Sequence, residues 1–549
     1  MKFRQIMKHI FSLGERDTRF SLGERSKQYP KSKEKENTEK LQKNLAKNKS
    51  NLEEIFGLPD NKDIVIREFK ITALNKNALI IYIDGLTDRN TQNFAILQPL
   101  MLLASEKIEH SLELADFISQ KLIPDQQITK TEIVDDVVSA ILDGSTVLLF
   151  DNSTQALITE TKGWEHRGIE KPASEYVVRG PQESFNESFR ANTASVRRYL
   201  KDPKLITEIF SIGRRSRTTL GLMYLKDVAN PQLLEEVRYR LNSISDATDF
   251  ISETGTLEEY LEDHPLSIIP QLLSTERPDR LAAQIREGFV GIVMANSPFS
   301  LIIPATYTMF IHASEDYYLR WPFGNFLRFI RAASLFTALF LPAIYISLVN
   351  FHQEMIPTHL LLAMTSAREN VPFPAVVEII LMEFAFELIR EAGIRVPSVI
   401  GPTIGIVGAL VLGQAAVAAS IVSPILIIVI AITALSSFVI PNYNASFSVR
   451  ILRFFFLFLA AFLGFFGLAL GIFLLSLHLV NLSSFGVPFL TPLAPSRSKA
   501  QDQIIRPFAF NQRFRPTFLK PLDLIRQQAN SRPWKNKKSP QGGNKDQDE

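Results

Sequence analysis

The chain has no cysteine among its 549 residues, which excludes disulfides, thiolate metal sites and a cysteine nucleophile. Histidine is scarce, at eight, and no two stand in an HExxH or comparable ligand spacing. No G-x-x-x-x-G-K-[ST] loop and no G-x-S-x-G elbow occurs, and the acidic residues of the amino-terminal half are scattered as on a solvated face. These absences argue against an enzyme, so no catalytic residue, metal ligand or cofactor is assigned. Phe11 to Leu13 is too short an apolar core for a signal peptide.

What the chain does have is unevenly placed. The 46% apolar content, with 40 Phe, is compatible with membrane spans, and the greasy part is confined to the last third. A net charge of +3 hides two basic ends: the first fifty residues carry fourteen Lys/Arg against six Asp/Glu, and the stretch after Pro495 carries twelve against five. Residues 1–62 read as a disordered basic arm, in which FSLGER occurs twice, at Phe11 to Arg16 and Phe20 to Arg25. Such an arm is either drawn to an anionic membrane, at about 1 kcal/mol per basic residue near the surface, or is a solvated linker. Residues 496–549 read as a basic disordered tail.

Between the ends, the expected fold is an α+β cytoplasmic domain built from two similar α/β lobes, followed by an α-helical transmembrane domain. DIVIREFKI and NALIIYIDGL have strand character, TEIVDDVVSAILDG has helical spacing closed by glycine, and GSTVLLFDN with QALITETKGW reads as two strands around an Asp-Asn-Ser turn. The pattern recurs about 141 to 144 residues later, where Ile285-Arg286-Glu287-Gly288 stands against Ile141-Leu142-Asp143-Gly144. This internal duplication gives lobe 1 over 63–170 and lobe 2 over 171–312. It also assigns the apolar stretch 288–313 to a strand pair turning at Asn296-Ser297-Pro298, not to a span.

Residues 313–331 mix Tyr317, Tyr318, Trp321 and Phe323 with Arg320, Arg328 and Arg331, the composition of an elbow at a headgroup boundary. Glu315, Asp316, Tyr318, Arg320 and Trp321 are its coupling candidates. The region 332–495 then offers four full spans, at Ala332 to Val349, Val399 to Ala419, Ile421 to Ile440 and Phe454 to Val480, plus a Glu-bearing helix over 375–389. Basic flanks place the lobes in the cytoplasm, and a basic tail favours the same side and an even number of crossings, whereas five crossings would put Arg450 and Arg453 inside and export the tail. Three carboxylates on one short apolar helix, Glu378, Glu383 and Glu387, must face protein, water or a partner charge. Glu387 pairing with Arg390 while Glu378 snorkels is one arrangement. Gly401, Gly405, Ala409 and Gly413 repeat every fourth residue, a smooth edge for packing helix on helix.

Several ordered motifs carry a family resemblance. Glu276-Arg277-Pro278-Asp279, Ser314-Glu315-Asp316-Tyr317-Tyr318, Val371-Pro372-Phe373-Pro374, Arg390-Glu391-Ala392-Gly393-Ile394-Arg395, Gly405-Ile406-Val407-Gly408 and Gly413-Gln414-Ala415-Ala416-Val417 together resemble the A subunit of GerA-type nutrient germinant receptors over about 63 to 495. The resemblance implies a multi-pass protein of the spore inner membrane. Its implied partners are a transporter-like B subunit that senses the nutrient, a lipoprotein C subunit, further copies of itself and membrane lipids, with no nucleic acid. It implies that A subunits form the oligomer through which cations leave. Within that frame Glu378, Glu383, Glu387, Val407, Val411, Gln414 and Val417 are pore-lining candidates, with Glu383 and Glu387 ringing a cation entrance. A non-conducting docking subunit, or a related A-like spore membrane protein that is not a receptor, is the alternative. A secondary transporter falls behind, because the duplication lies in the soluble lobes rather than in the apolar region.

Overall fold

The computed structural model describes residues 39–102, 114–124, 128–163, 172, 174–395, 401–495, 502–503 and 505–528. Structure begins inside the expected disordered arm. Helix α1, Leu45–Ile55, starts at Asn44, whose side chain accepts from the backbone N–H of Ala46 and Lys47. Leu41, Leu45, Leu52 and Phe56 are buried in the first lobe's core. Lysine and asparagine dominate this segment by number, but four well-placed apolar residues anchor it.

Lobe 1 consists of β1 (Ile64–Ile71), β2 (Lys76–Ile83), β3 (Ile128–Thr131), helix α2 (Val134–Leu142), β4 (Thr146–Phe150) and β5 (Ala156–Thr159). Its antiparallel sheet has the order β1-β2-β4-β5-β3. Lobe 2 repeats that plan after helix α3 (Phe189–Tyr199). Its elements are β6 (Leu205–Ile212), β7 (Thr218–Leu225), α4 (Pro231–Ala247), α5 (Thr254–Leu261), β8 (Leu273–Thr275), α6 (Pro278–Arg286), β9 (Val290–Met294) and β10 (Ser300–Ile303). The order is β6-β7-β9-β10-β8, again antiparallel. The punctuation recurs too. Helices α2 and α6 are followed by Gly144 (φ +86°) and Gly288 (φ +100°), and the two hairpin turns place Asn152 (φ +62°) and Asn296 (φ +64°) in the left-handed region that asparagine tolerates. Residues 290–303 are therefore a strand pair inside the buried core of lobe 2.

The lobes are locked together. Asp63, just before β1, accepts from Arg197 Nε of α3 at 2.8 Å, Thr207 Oγ1 at 2.7 Å and Arg190 Nη1 at 3.2 Å. Both Asp63 and Arg197 are buried. Rotation of one lobe against the other has to open this network.

After α7 (Tyr307–Ile311) and α8 (Glu315–Tyr318) comes a helical bundle: α9 (Trp321–Phe351), α10 (Thr358–Arg368), α11 (Ala375–Arg395), α12 (Gly401–Ala418), α13 (Pro424–Phe438) and α14 (Tyr443–Asn481). By length and composition α9 and α14 are each long and apolar enough to cross a membrane. However, α14 is not one rod. Gly464 has φ +59° and ψ −139°, and the chain turns back there. A Cβ on Gly467 would meet Leu459, and one on Gly471 would meet Phe456, contacts that only two antiparallel arms, 443–463 and 465–481, allow. Both arms end at lobe 2: Asn444 Nδ2 donates to Ser274 Oγ at 3.2 Å, Ser448 Oγ donates to Ile268 O at 2.6 Å, and His478 Nε2 lies 3.0 Å from Ser267 Oγ. The stretch Phe454 to Val480, expected as a single span, is thus the tip and flanks of a hairpin. Its apolar run hides the break because glycine is the only local sign of it.

The Gly464 backbone is open to glycine and costs other residues on the order of 1–3 kcal/mol, and an added methyl would lie 2.9 Å from Phe351 Cγ. Gly464→Ala should therefore lower the thermal midpoint of the solubilised chain. Gly393→Ala, on an open face of α11, should leave it unchanged or raise it. Equal midpoints for the two variants would refute the hairpin.

Candidate functional site

Two charged clusters stand out, one inside the bundle and one at its junction with lobe 2. In the bundle, α11 carries Glu378, Glu383 and Glu387 at five- and four-residue spacing. Glu378 is buried, accepting from Arg368 Nη2 at 3.1 Å and from the Ser423 N–H at 2.9 Å, where Ser423 also caps α13. Glu387 accepts from Arg453 Nη2 at 2.9 Å and from Arg450, and Arg390 Nη1 lies 3.5 Å away. Glu383 is 1% exposed and lies 2.9 Å from Arg453 Nη2, yet neither of its oxygens is aligned for a hydrogen bond. Arg390 donates to Ser437 Oγ at 2.6 Å and lies over the Phe438 ring at 4.5 Å. The cluster joins α11 to α13 and to the first arm of α14, with two carboxylates against three guanidinium groups.

At the junction, Asp316 of α8 is fully buried. It accepts from Arg328 Nε at 2.9 Å and lies 2.7 Å from Arg331 Nη1, about two and three turns into α9 respectively. The chain's tail closes over this pair. Asp502 accepts from Arg328 and Tyr317, and Arg506 donates to the backbone oxygen of Asp316. Trp321 Nε1 donates to Arg506 O at 2.5 Å, and its ring stacks on Phe508 with centroids 4.7 Å apart. Burial alone would raise the Asp502 carboxyl, but the Arg328 hydrogen bond and charge hold it below the usual range. Burial, aided by Arg328, pushes His312 down to about 4, so a neutral imidazole gives its Nε2 proton to Gln503 O at 2.6 Å. Tyr318 donates to Asp279, which Arg277 also holds at 3.0 Å, tying α8 to α6.

Stacking and one hydrogen bond together hold the tail to Trp321 with about 1–3 kcal/mol. Trp321→Ala should make tryptic cleavage within 505–528 roughly tenfold faster or more, while the lobes stay resistant. Trp321→Phe, which keeps the stack, should have a smaller effect. Identical cleavage in all three proteins would show that Trp321 does not secure the tail.

Among the residues singled out from sequence, Asp316, Tyr318 and Trp321 converge at the junction, Glu315 is half-buried at the start of α8, and Arg320 is exposed. Glu383 and Glu387 share one stripe of α11 while Glu378 lies about 180° round from Glu387, and all three are met by arginines within the chain. Glu378 does not snorkel outward. Val411 and Gln414 are exposed on α12, and Val417 packs in the bundle core. Gly413 is in ordinary contact with Ile427, so no backbone approaches it closely. For Gly401, Gly405, Val407 and Ala409 only the helical backbone is described, so their side-chain environment lies outside the described residues. Sequence reasoning missed Asp502, Arg506, Arg450 and Arg453 as partners. The last two were detectable as charges interrupting an apolar run. The tail was also misread: 502–503 and 505–528 pack on lobe 2, with Asn230 Nδ2 donating to Leu519 O at 3.1 Å and Leu519 buried.

A family model described as Bacillus/Clostridium GerA spore germination protein matches residues 50–518. The chain is 39% identical over 502 residues to spore germination protein KA of Bacillus subtilis (strain 168), covering 91% of each chain. It is 38% identical over 484 residues to spore germination protein GerLA of Bacillus cereus, covering 88% of this chain and 97% of that one. The crystal structure of the N-terminal domain of the A subunit of the Bacillus megaterium spore germinant receptor GerK3 is 28% identical and aligns with a TM-score of 0.35, covering 49% of this chain and 98% of that one.

Proposed function

The chain belongs to the GerA family of spore germination proteins, and from that premise we propose that it is the A subunit of a nutrient germinant receptor. In this reading its bundle lies in the spore inner membrane, the two lobes face the core side, and several copies surround the path by which cations leave when a transporter-like B subunit senses nutrient. A lipoprotein C subunit completes the complex. Exposed Phe323, Phe326, Phe329 and Phe336 on the early turns of α9 suit a lipid boundary, flanked by basic residues on the lobe side. Both ends of the bundle adjoin lobe 2, which supports an even number of crossings with the tail on the side of the lobes.

The observation that carries this reading is the charged cluster buried inside an otherwise apolar bundle. Ionisable groups at membrane depth are costly and mark ion pathways or the elements that move them. With Glu383 and Glu387 held by Arg390, Arg450 and Arg453, the cluster acts as a closed latch, and opening frees the carboxylates toward a passage bordered by α12. The test is triggered cation efflux from liposomes holding the full receptor. Glu383→Gln with Glu387→Gln should change cation selectivity or flux without preventing assembly. Absence of conductance in wild type and in every latch-weakened variant would leave the second reading, a docking subunit that conducts nothing. That reading is favoured by the arginines already occupying both carboxylates.

A further inference from the structure

A cavity of about 360 Å³ lies where three parts of the chain meet: one face of α6, the α7–α8 turn, and the docked tail. Its size is that of a small-molecule site. Phe289, Phe514 and Phe518 give it apolar walls, and Arg286, Arg526 and Gln512 give it donors. We propose that it binds a small organic anion, a carboxylate or phosphate carried on an aromatic or apolar body.

The charges bordering the cavity are settled except on one side. Asp279 is held by Arg277 and Tyr318, Asp502 by Arg328, and Arg280 by Glu175 and the Met309 carbonyl. Around Glu287, however, two guanidinium groups compete for one carboxylate: Arg526 Nε at 3.2 Å and Arg286 Nη2 at 3.7 Å. Arg515 also lies nearby, its Nε donating to the Arg286 backbone oxygen at 2.9 Å, but Asp523 at 2.6 Å balances its charge, so the surplus is the one shared by Arg286 and Arg526. Burial, then Arg526, lowers the Arg286 pKa against the pull of Glu287. Gln512 supplies the second observation. It is 3% exposed, its Oε1 accepts from Arg526, and its Nε2 has no acceptor among the described residues. The amide orientation is fixed because arginine can only donate. A buried donor lacking an acceptor is unfavourable until one arrives, and an anion satisfies Gln512 and the surplus guanidinium together. A neutral acceptor satisfies Gln512 but leaves the charge, and a cation satisfies neither. Because tail residues form much of the wall, the anion would also hold the tail in place.

The test uses the full-length chain in detergent micelles, titrated calorimetrically with benzoate, phenyl phosphate, inorganic phosphate and the neutral control benzyl alcohol. Benzoate or phenyl phosphate should bind saturably and slow tryptic cleavage of the tail, the tighter of the two identifying the head group. Arg286→Gln, a change at a half-exposed side chain, should weaken that binding about tenfold or more, and Arg286→Lys should recover part of it. No saturable binding of either aromatic anion, equal binding of benzyl alcohol, or unchanged affinity in Arg286→Gln would overturn the proposal. Inorganic phosphate binding as tightly as phenyl phosphate would overturn the aromatic or apolar body.

Discussion

Asp316→Ala is expected to remove about 3–5 kcal/mol of stability, the usual result of breaking a buried ion pair from one side. Arg331 is 8% exposed and pairs with no other carboxylate among the described residues, so its charge would remain buried and uncompensated. Arg328 would keep only Asp502. Since a typical domain is stable by about 5–15 kcal/mol, the loss is large enough to deplete the protein from spore membranes. It should also shift its denaturant midpoint in micelles. Asp316→Asn retains the shape and some hydrogen bonding without the charge, and should fall between. The comparison separates electrostatics from packing: if Asp316→Ala and wild type unfold at the same midpoint, the junction is not held by these ion pairs.

The second large effect is expected at Arg453. Its guanidinium serves Glu383 and Glu387 at once, at 2.9 Å from each, and it is 1% exposed. In Arg453→Met, Glu387 keeps Arg390 and Arg450, but Glu383 is left buried without a counterion, at a cost of about 3–5 kcal/mol. The bundle should loosen, seen as a basal cation leak in liposomes and a lower thermal midpoint. Combining Glu383→Leu with Arg453→Met should reverse most of the loss, because a buried pair replaced by apolar residues of similar size is often neutral. A double variant no better than the single one would mean that the cluster does not latch the bundle.

The lobes were legible because their repeat is written twice: the same glycine and asparagine recur at the same places, so one copy corrected a hydropathy signal in the other. The bundle was less legible. Hydropathy registers how greasy Phe454 to Val480 is, but the turn at Gly464 depends on one backbone angle. That α11 must meet partner charges, with Arg390 on Glu387, followed from its sequence, whereas the addition of Arg450 and Arg453 depends on which helix packs alongside. The tail was classed by charge, although Phe508, Phe510, Phe514 and Phe518 alternate with its arginines. Both kinds of residue hold it in place: Trp321 stacks on Phe508, while Asp502 and Arg506 bond Arg328 and the Asp316 backbone.

The tail's place also sets an order of events during synthesis. Trp321 and its acceptor at Arg506 are 185 residues apart, which at bacterial elongation speeds is on the order of 10–40 s of translation. Throughout that interval Asp316 already has Arg328 and Arg331, but Trp321 has no Arg506 and Arg328 has no Asp502. The junction is completed only after every bundle helix has left the ribosome. A chain that stops short of residue 502 therefore carries a recognisable mark of incompleteness, an uncovered indole and a half-neutralised arginine beside the lobes, on which cellular proteolysis can act before assembly.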